Sequence, residues 1–407
     1  MRIAILSRSS KLYSTRRIKE ACVKRGHQAL VLDPMRFSID VEQGSPQLYF
    51  KNRQVRQFDA VIPRIGASIT FFGCAVVRQF EQMGVFCLNP SHSISVSRDK
   101  LRSIQVLSRH RVGFPRTIFV KDKGSIVATL DRVGMPSVIK LLEGTQGIGV
   151  ILAETRKVAE AIVEALQEGA KQHVLVQRFI SESRGRDIRA IVCGDRVIAA
   201  MRRVAQGDEF RSNLHRGGVT ESITLDPEYE RTAVHAAQVL GLRFAGVDML
   251  EGREGPLVME VNSSPGLEGI EHASEIDVAD AVIQLIEEEV LLPEVDIRQR
   301  LTLRNGYGVT EFKVSPESEL CGKSIEACGL RARDVVVLSI ARESVTIPNP
   351  KDDHVIATGD TLLCYGKVLT LRGLVPPPPS QNAKRIRKLR VRSESKHPMS
   401  GPKVDSE

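Results

Sequence analysis

Three oxygen-bearing side chains stand out in the segment AGVDMLEGREGPLVMEVNSSPGLEG, where Asp248 is followed by Glu260 and Asn262. The apolar runs VDML and LVMEV predict two strands joined by a glycine-containing turn, with Asp248 near the end of the first. Side chains alternate along a strand, so Glu260 and Asn262 share a face, and an acid on the neighbouring strand can join them there. Such a set offers hard oxygen ligands suited to magnesium held partly by nucleotide phosphates, and no His or Cys competes for the ion. A solvated hairpin face has the same spacing. The apolar surroundings of both acids point instead to burial, which calls for a cation or dense hydrogen bonding.

Two further clusters bear on phosphate chemistry. KLLEGTQGIGV places Lys140 at the end of an apolar strand, followed by Gly144, Gly147 and Gly149. Glycines let backbone amides close around phosphate oxygens, and the lysine supplies a point charge. The pattern is neither a P-loop nor a dinucleotide fingerprint, and an ordinary hairpin turn shares its composition. FRSNLHRGG gathers Arg211, Asn213, His215 and Arg216 beside two glycines. Arginines with an amide side chain suit a substrate carboxylate or a γ-phosphate undergoing transfer, although an exposed basic loop looks the same.

The elements around these clusters fall into distinct regions. Residues 1–97 alternate strand and helix: RIAIL, a helix capped by Ser14 and closed by Gly26, HQALVLD, DAVIP, the helical FFGCAVVRQFEQM with Gly84 after it, and VFCL. That order predicts a small parallel α/β domain. In residues 98–292 a helix from Arg98 to His110 leads into RTIFV, SVIKLL, GVILA, HVLVQRFI, DIRAIV and RVIAAMRRV. With helices near 157–166, 228–240 and 278–290, this predicts an α+β body rather than a continuous parallel sheet. Pro293 marks a boundary, residues 301–375 read as a small β-rich domain, and residues 376–407 as a stiff PPPPS spacer with a disordered tail.

Composition bounds the class. The 407 residues exceed what one core usually supports, and 42% hydrophobic with 26% charged residues describes an ordinary globular protein. Seven scattered cysteines without a CxxC pair argue against a disulfide framework or a zinc site. The first apolar run is too short for a signal segment and no stretch approaches a membrane span, so a cytoplasmic location without membrane contact is expected. The net charge is +9, and the last 28 residues hold eight Lys or Arg against Glu394, Asp405 and Glu407. Such a tail can seek nucleic acid, a ribosome or an anionic membrane, or simply keep the chain in solution.

In order along the chain, the glycine loop, QRFI, Asp187, the Arg211 loop and the two-acid hairpin resemble the ATP-grasp superfamily. The wording IAILSR, FDAVIPRIG, RDKLRS, EGTQGIGV, DIR, FRSNLHRGG, AGVD and MEVNSSPGLEGIE is similar to its RimK branch of α-L-glutamate ligases over residues 1 to about 290. The resemblance implies an N-terminal α/β domain and two α+β subdomains that bind ATP and two Mg2+ or Mn2+ ions. It places Lys100 and Lys140 at the phosphates and adenine region, the backbone of Gln177, Arg178, Phe179 and Ile180 around adenine, and Asp187 on the ribose. Arg211, Ser212 and Asn213 meet the triphosphate end, Asp248 and Glu260 hold one metal, and Glu260 and Asn262 the other. Arg203 and His215 are implied on the substrate side. Arg178 departs from the family, which commonly has an acid there.

Enteric members of that branch add glutamates to the C-terminus of the sixth small-subunit ribosomal protein, so glutamate and a ribosomal or oligoglutamate acceptor are the implied partners. PESELCGKSI, IARE, IPNP and GDTLL resemble the TrkA-C module of potassium-transport regulators. This implies a small-ligand sensor that pairs, and a homo-oligomer, dimer or tetramer. Two other readings fit the same residues: a ligase for a small-molecule or coenzyme carboxylate, and a catalytically idle ligand-sensing regulator.

Overall fold

The computed structural model describes residues 1–142, 149–169, 173–207, 209–211, 218–290, 306–343 and 345–374. The chain divides into two units, Met1–Pro293 and Glu294–Glu407.

The first unit begins with a parallel sheet in the order Gln28–Leu32, Arg2–Leu6, Ala60–Pro63, Phe86–Cys87. Ile3 to Leu6 are wholly buried, as an apolar strand with helices on both faces requires. The helix Tyr13–Lys24 stops where Gly26 adopts φ +80°. Ser14 is not its cap: the helix starts at Leu12 without a side-chain cap, and the Ser14 hydroxyl accepts from the Leu267 N–H at 3.0 Å. An antiparallel sheet of Phe37–Glu42, Ser45–Phe50 and Arg53–Gln54 lies between the second and third parallel strands in sequence. Its short, mostly polar strands carry too little apolar alternation to be read in advance.

The helix expected from Arg98 to His110 is present as Lys100–Arg109, and a further helix, Ser91–Arg98, precedes it. Asp99 separates the two by capping the second, its carboxylate accepting the Arg102 N–H at 3.0 Å. Beyond them lie two antiparallel sheets. One runs Val150–Ala153, Ser137–Leu141, Val174–Arg178, Thr117–Val120, over a core that includes Leu130, Ile139, Val163 and Val176. The other runs Val219–Ser222, Arg196–Val204, Arg186–Cys193, Phe244–Gly252, Gly255–Asn262.

The two faces of this five-stranded sheet differ. Ile188, Ala190, Val192, Val247 and Val261 pack with Ala233, Ala236 and Ala237 of the helix Pro227–Val239. On the opposite face Ile191, Cys193 and Met201 join the helix Val278–Glu289 and residues of the parallel sheet in one core. Arg25 forks onto Asp280 at 2.9 and 2.8 Å and reaches Glu287 at 2.7 Å, which fixes the helix Tyr13–Lys24 to that C-terminal helix.

Asn89 joins the parallel domain to the five-stranded sheet. It is buried, its Nδ2 donates to the carbonyls of Phe244 at 2.6 Å and Ser263 at 3.1 Å, and its Oδ1 accepts from the N–H groups of Arg243 and Phe244, both at 3.0 Å.

The second unit is an antiparallel sheet in the order Tyr307–Lys313, Thr361–Lys367, Val335–Arg342, Val345–Pro348, followed by the helix Val368–Leu374. Phe312, Leu320, Ile340, Leu362 and Leu371 are among its core residues. Buried Asp360 accepts a fork from Arg342 at 2.7 and 2.8 Å and the Ala357 N–H at 2.8 Å. The polyproline spacer and basic tail lie outside the described residues. Five of the seven cysteines are buried thiols. Among the described residues no helix is long and apolar enough to cross a membrane.

Asn89→Ala removes one side chain and leaves buried backbone groups on two elements without partners. We expect a loss of about 3 kcal/mol in urea unfolding of the first unit. An unchanged midpoint would show that Asn89 does not hold the domain junction.

Candidate active site

The chemistry-bearing residues lie on one face of the five-stranded sheet, and register places them. Asp187 stands opposite Arg203, Arg189 opposite Asp248, Asp248 opposite Glu260, and Gly246 opposite Asn262. Asp248 lies in the middle of Phe244–Gly252 rather than near its end. A bulge follows it: Met249 pairs with Val258, so Met259 is left over. The extra residue lets Val258 and Val261 both enter the helix-side core while Glu260 and Asn262 keep the other face.

Four charged groups on this face form a chain. Asp187, Arg203 and Asp248 are 1%, 4% and 5% exposed. Arg203 forks onto Asp187, Nε to Oδ1 at 2.7 Å with Nη2 against Oδ2, and the same Nη2 lies 3.1 Å from Asp248. Arg189 forks onto Asp248 at 2.7 and 2.6 Å. Burial opposes every charge here, but the arginines outweigh it and hold the Asp248 carboxyl below the usual range. Burial likewise works against the Arg203 charge, and Asp248 and Asp187 together overcome it and raise its pKa.

Glu260 is different. The expectation of two buried acids fails for it, because Glu260 is exposed. It stands at the open edge of the face, and the cations acting on it come from other elements: Arg98, Lys100 and Lys140. Lys100 donates to the Leu141 carbonyl at 2.9 Å. Lys140 has no hydrogen-bond or ion-pair partner among the described residues. Desolvation pushes it down to about 8, with Lys100 adding to the fall and Glu260 opposing it.

The donors Asp248, Glu260 and Asn262 fit a small hard divalent ion. All are oxygens on adjacent strands, and Asp248 keeps a lone pair beyond its three arginine contacts. Two carboxylates and an amide leave room for phosphate oxygens and water.

Other expected residues cluster near the four-stranded sheet. Gly149 has φ +75°, and a Cβ there would lie 2.7 Å from Leu141, so the glycine is obligatory where the loop returns to its strand. Gln177 is buried and donates to Thr117 Oγ1 at 2.8 Å. The N–H groups of Arg178 and Phe179 are engaged by the carbonyls of Arg116 at 2.8 Å and Pro136 at 3.1 Å, whereas Ile180 has no N–H partner among the described residues. The Arg178 side chain is exposed. The Phe179 ring meets Phe210 edge to face at 6.4 Å, and Arg211 bonds the Val150 carbonyl at 3.3 Å, which draws the Arg211 segment towards both. Arg211 is also forked onto Glu209 at 2.9 and 2.8 Å. Gly144, Gly147, Ser212, Asn213, His215 and Arg216 lie outside the described residues.

Three arginines of the site were not singled out from sequence: Arg189, Arg64 and Arg98. Arg189 was findable, since it lies two residues after Asp187 and therefore on the same strand face. Arg64 directly follows the DAVIP strand, and the C-terminal end of a parallel strand is where α/β sheets bind ligands.

The comparisons agree with this architecture. Residues 1–94 match the RimK PreATP-grasp domain, 97–286 the RimK-like ATP-grasp domain and 309–370 the TrkA-C domain. A protein of Rhodopirellula baltica named probable alpha-L-glutamate ligase is 59% identical over 377 residues, 92% of this chain and 93% of that one. A probable alpha-L-glutamate ligase 2 of Shewanella denitrificans is 57% identical over 291 residues, 71% of this chain and 96% of its own length. Among solved structures, the ATP-grasp ligase PsnB complexed with a minimal precursor, Mg and ADP superposes with a TM-score of 0.57 at 20% identity, covering 71% of this chain and 98% of that one. A RimK domain protein ATP-grasp of Sphaerobacter thermophilus gives 0.54 at 23%, covering 70% and 99%.

Fold and site together define an ATP-dependent ligase of the ATP-grasp class. Within that class the chain belongs to the RimK family, and it carries a C-terminal TrkA-C domain.

Two outcomes are expected. Arg203→Met leaves Asp187 buried beside an apolar stem, which should cost about 3–5 kcal/mol of stability in denaturant titration; a loss below 1 kcal/mol would contradict the buried network. If Lys140 meets the triphosphate, nucleotide binding above pH 8 requires proton uptake by a lysine that is neutral in the free enzyme. Nucleotide affinity measured by calorimetry should then be flat below pH 7 and weaken by up to about tenfold per pH unit above 8. Lys140→Arg should flatten that profile, and an identical profile in the variant would remove Lys140 from the binding step.

Proposed function

We propose that the protein is an α-L-glutamate ligase that uses ATP with Mg2+ or Mn2+ to join glutamate to a C-terminal carboxylate of a protein, the sixth small-subunit ribosomal protein, or of oligoglutamate. The observation that carries this reading is a sheet face where an exposed glutamate acts on cations brought by three other elements, of which Arg98 and Lys140 have no ion-pair partner among the described residues. Such a face suits a triphosphate and a substrate carboxylate brought together around a metal. The names of the Rhodopirellula and Shewanella relatives support glutamate, and the precursor-bound PsnB structures support a peptide acceptor.

In this reading Asp248, Glu260 and Asn262 would hold the metal, which would supply charge neutralisation at the phosphates. Lys100, Lys140, Gly144, Gly147 and Gly149 surround the phosphates, and Gln177, Arg178, Phe179 and Ile180 border adenine. Arg211, Ser212 and Asn213 face the γ-phosphate. An acceptor carboxylate oxygen attacks the γ-phosphorus, the bond to ADP breaks, and an acyl phosphate results. The glutamate amine then attacks the acyl carbon, the amide C–N bond forms, inorganic phosphate leaves and the amine proton is released. The chain acts by positioning and by charge, without a covalent nucleophile. Arg203 is assigned a positioning role, because its Nε and Nη2 are engaged by Asp187 and Asp248. That pairing also means Asp187 meets a ribose only through whatever capacity Arg203 leaves it. His215 is assigned to the substrate side. The TrkA-C domain senses a small ligand and pairs protomers into a dimer or tetramer, and the basic tail contacts the ribosome.

Incubation of the full chain with ATP, labelled glutamate and either ribosomes or glutamate alone tests the reading by mass spectrometry. Additions of whole glutamate residues to one ribosomal protein, or oligoglutamate from glutamate alone, are expected, with ADP and phosphate released in step. Glu260→Ala should lower the rate by at least about 1,000-fold. ATP turnover that requires some other small carboxylate, with no glutamate incorporated, would instead assign a small-molecule ligase.

A further inference from the structure

Arg64 has no role above, and Arg98 enters there only as one of the cations acting on Glu260. Arg64 lies immediately after the strand Ala60–Pro63, at the carboxyl end of the parallel sheet. Its Nη2 donates to the Pro265 carbonyl at 2.6 Å, three residues beyond Asn262. Arg98 ends the helix Ser91–Arg98, and its Nη2 donates to the Ile65 carbonyl at 2.5 Å. Arg98 thus holds the backbone of the residue next to Arg64, while Arg64 reaches the segment after Asn262, and each arginine is half-buried overall.

Both are incompletely satisfied. Arg64 Nη1 and Arg98 Nε are sealed from solvent and have no hydrogen-bond partner, and neither arginine forms an ion pair among the described residues. Desolvation pushes Arg64 down to about 10, with Arg98 adding to the fall; desolvation also lowers Arg98, which Glu260 partly offsets. Two like charges beside each other, desolvated and with orphaned donors, are costly unless an anion completes them. By contrast, half-buried Arg189 and buried Arg203 on the sheet are each forked onto a carboxylate.

We propose that Arg64 and Arg98 form a carboxylate-binding subsite for a substrate of the ligase, beside the metal-binding acids and separate from the nucleotide phosphates. The planar fork of arginine matches a carboxylate, and the position past a parallel strand is suited to a ligand. Two sources share this chemistry: the acceptor's terminal carboxylate and the carboxylates of free glutamate. The inference rests on the ligase reading and deepens it.

The test uses full-length Arg64→Gln and Arg98→Gln, which keep a donor for Pro265 or Ile65 and lose the charge, together with Arg64→Lys. Steady-state rates are measured while varying glutamate and acceptor separately, alongside calorimetric affinity for an unreactive ATP analogue with Mg2+. Each Gln variant should lower kcat/KM for one carboxylate substrate by about 100-fold. Nucleotide affinity should stay within about threefold, Arg64→Lys should recover part of the loss, and free guanidinium should partly rescue Arg64→Ala. A rise in KM confined to the acceptor assigns its terminal carboxylate, and one confined to glutamate assigns the amino acid. Unchanged kcat/KM for both, or equal losses for both substrates and the nucleotide that track a fall in Tm, would overturn the subsite. If the wild-type chain ligates no carboxylate at all, the functional reading fails first, a result separate from either of these.

Discussion

The site depends on one constraint: charges taken out of water on a sheet face must neutralise each other before they can act on anything else. Arg203 binding Asp187 and Asp248, with Arg189 gripping Asp248 from the next strand, meets that constraint by strand register alone. Each fork has its partners directly opposite across a ladder, so a slip of one residue in any of the three strands would send that strand's charged groups to the other face. The chain of ion pairs thus sets both the register of the three strands and the orientation of Asp248. A buried network of this kind is weak as a source of stability and strong as a specification of geometry.

Where neutralisation stops, function begins. Glu260 is the anion at the open end of the chain, and the cations facing it arrive on separate elements: Arg98 from the end of one helix, Lys100 from the start of the next, and Lys140 from the four-stranded sheet. The helix break at Asp99 is what allows Arg98 and Lys100 to serve one site from consecutive helices. Asn89 and the forks of Arg25 keep the parallel domain, with Arg64 at its strand end, registered against the sheet.

Much of this was legible in the sequence, for physical reasons that also explain what was not. Apolar strands such as RIAIL and the turn glycines Gly26, Gly84 and Gly149 carry local signals, and each lies where its pattern placed it. The common face of Glu260 and Asn262 followed from alternation, although the bulge at Met259, which lets Val258 and Val261 share the opposite face, did not. Long-range partnerships were invisible: Ser14 serves Leu267 rather than its own helix, and nothing local to Asp187 announces Arg203. Glu260 was expected to be buried because its neighbours are apolar, yet its own side chain points to the open edge. Arg64 and Arg98 were passed over because an arginine after a strand or at a helix end looks like an ordinary surface cation until the fold encloses it.

The central claim is that Glu260, through a divalent metal, makes the face it shares with Lys100 and Lys140 a site for a triphosphate. The most direct measurement is the affinity of wild type and Glu260→Gln for an unreactive ATP analogue, with and without Mg2+. In the wild type, Mg2+ should tighten binding by at least about tenfold. In Glu260→Gln, metal-free binding should equal or exceed that of the wild type, because a negative charge facing the phosphates is gone, and the Mg2+ effect should largely disappear. An undiminished Mg2+ effect in Glu260→Gln would contradict the account.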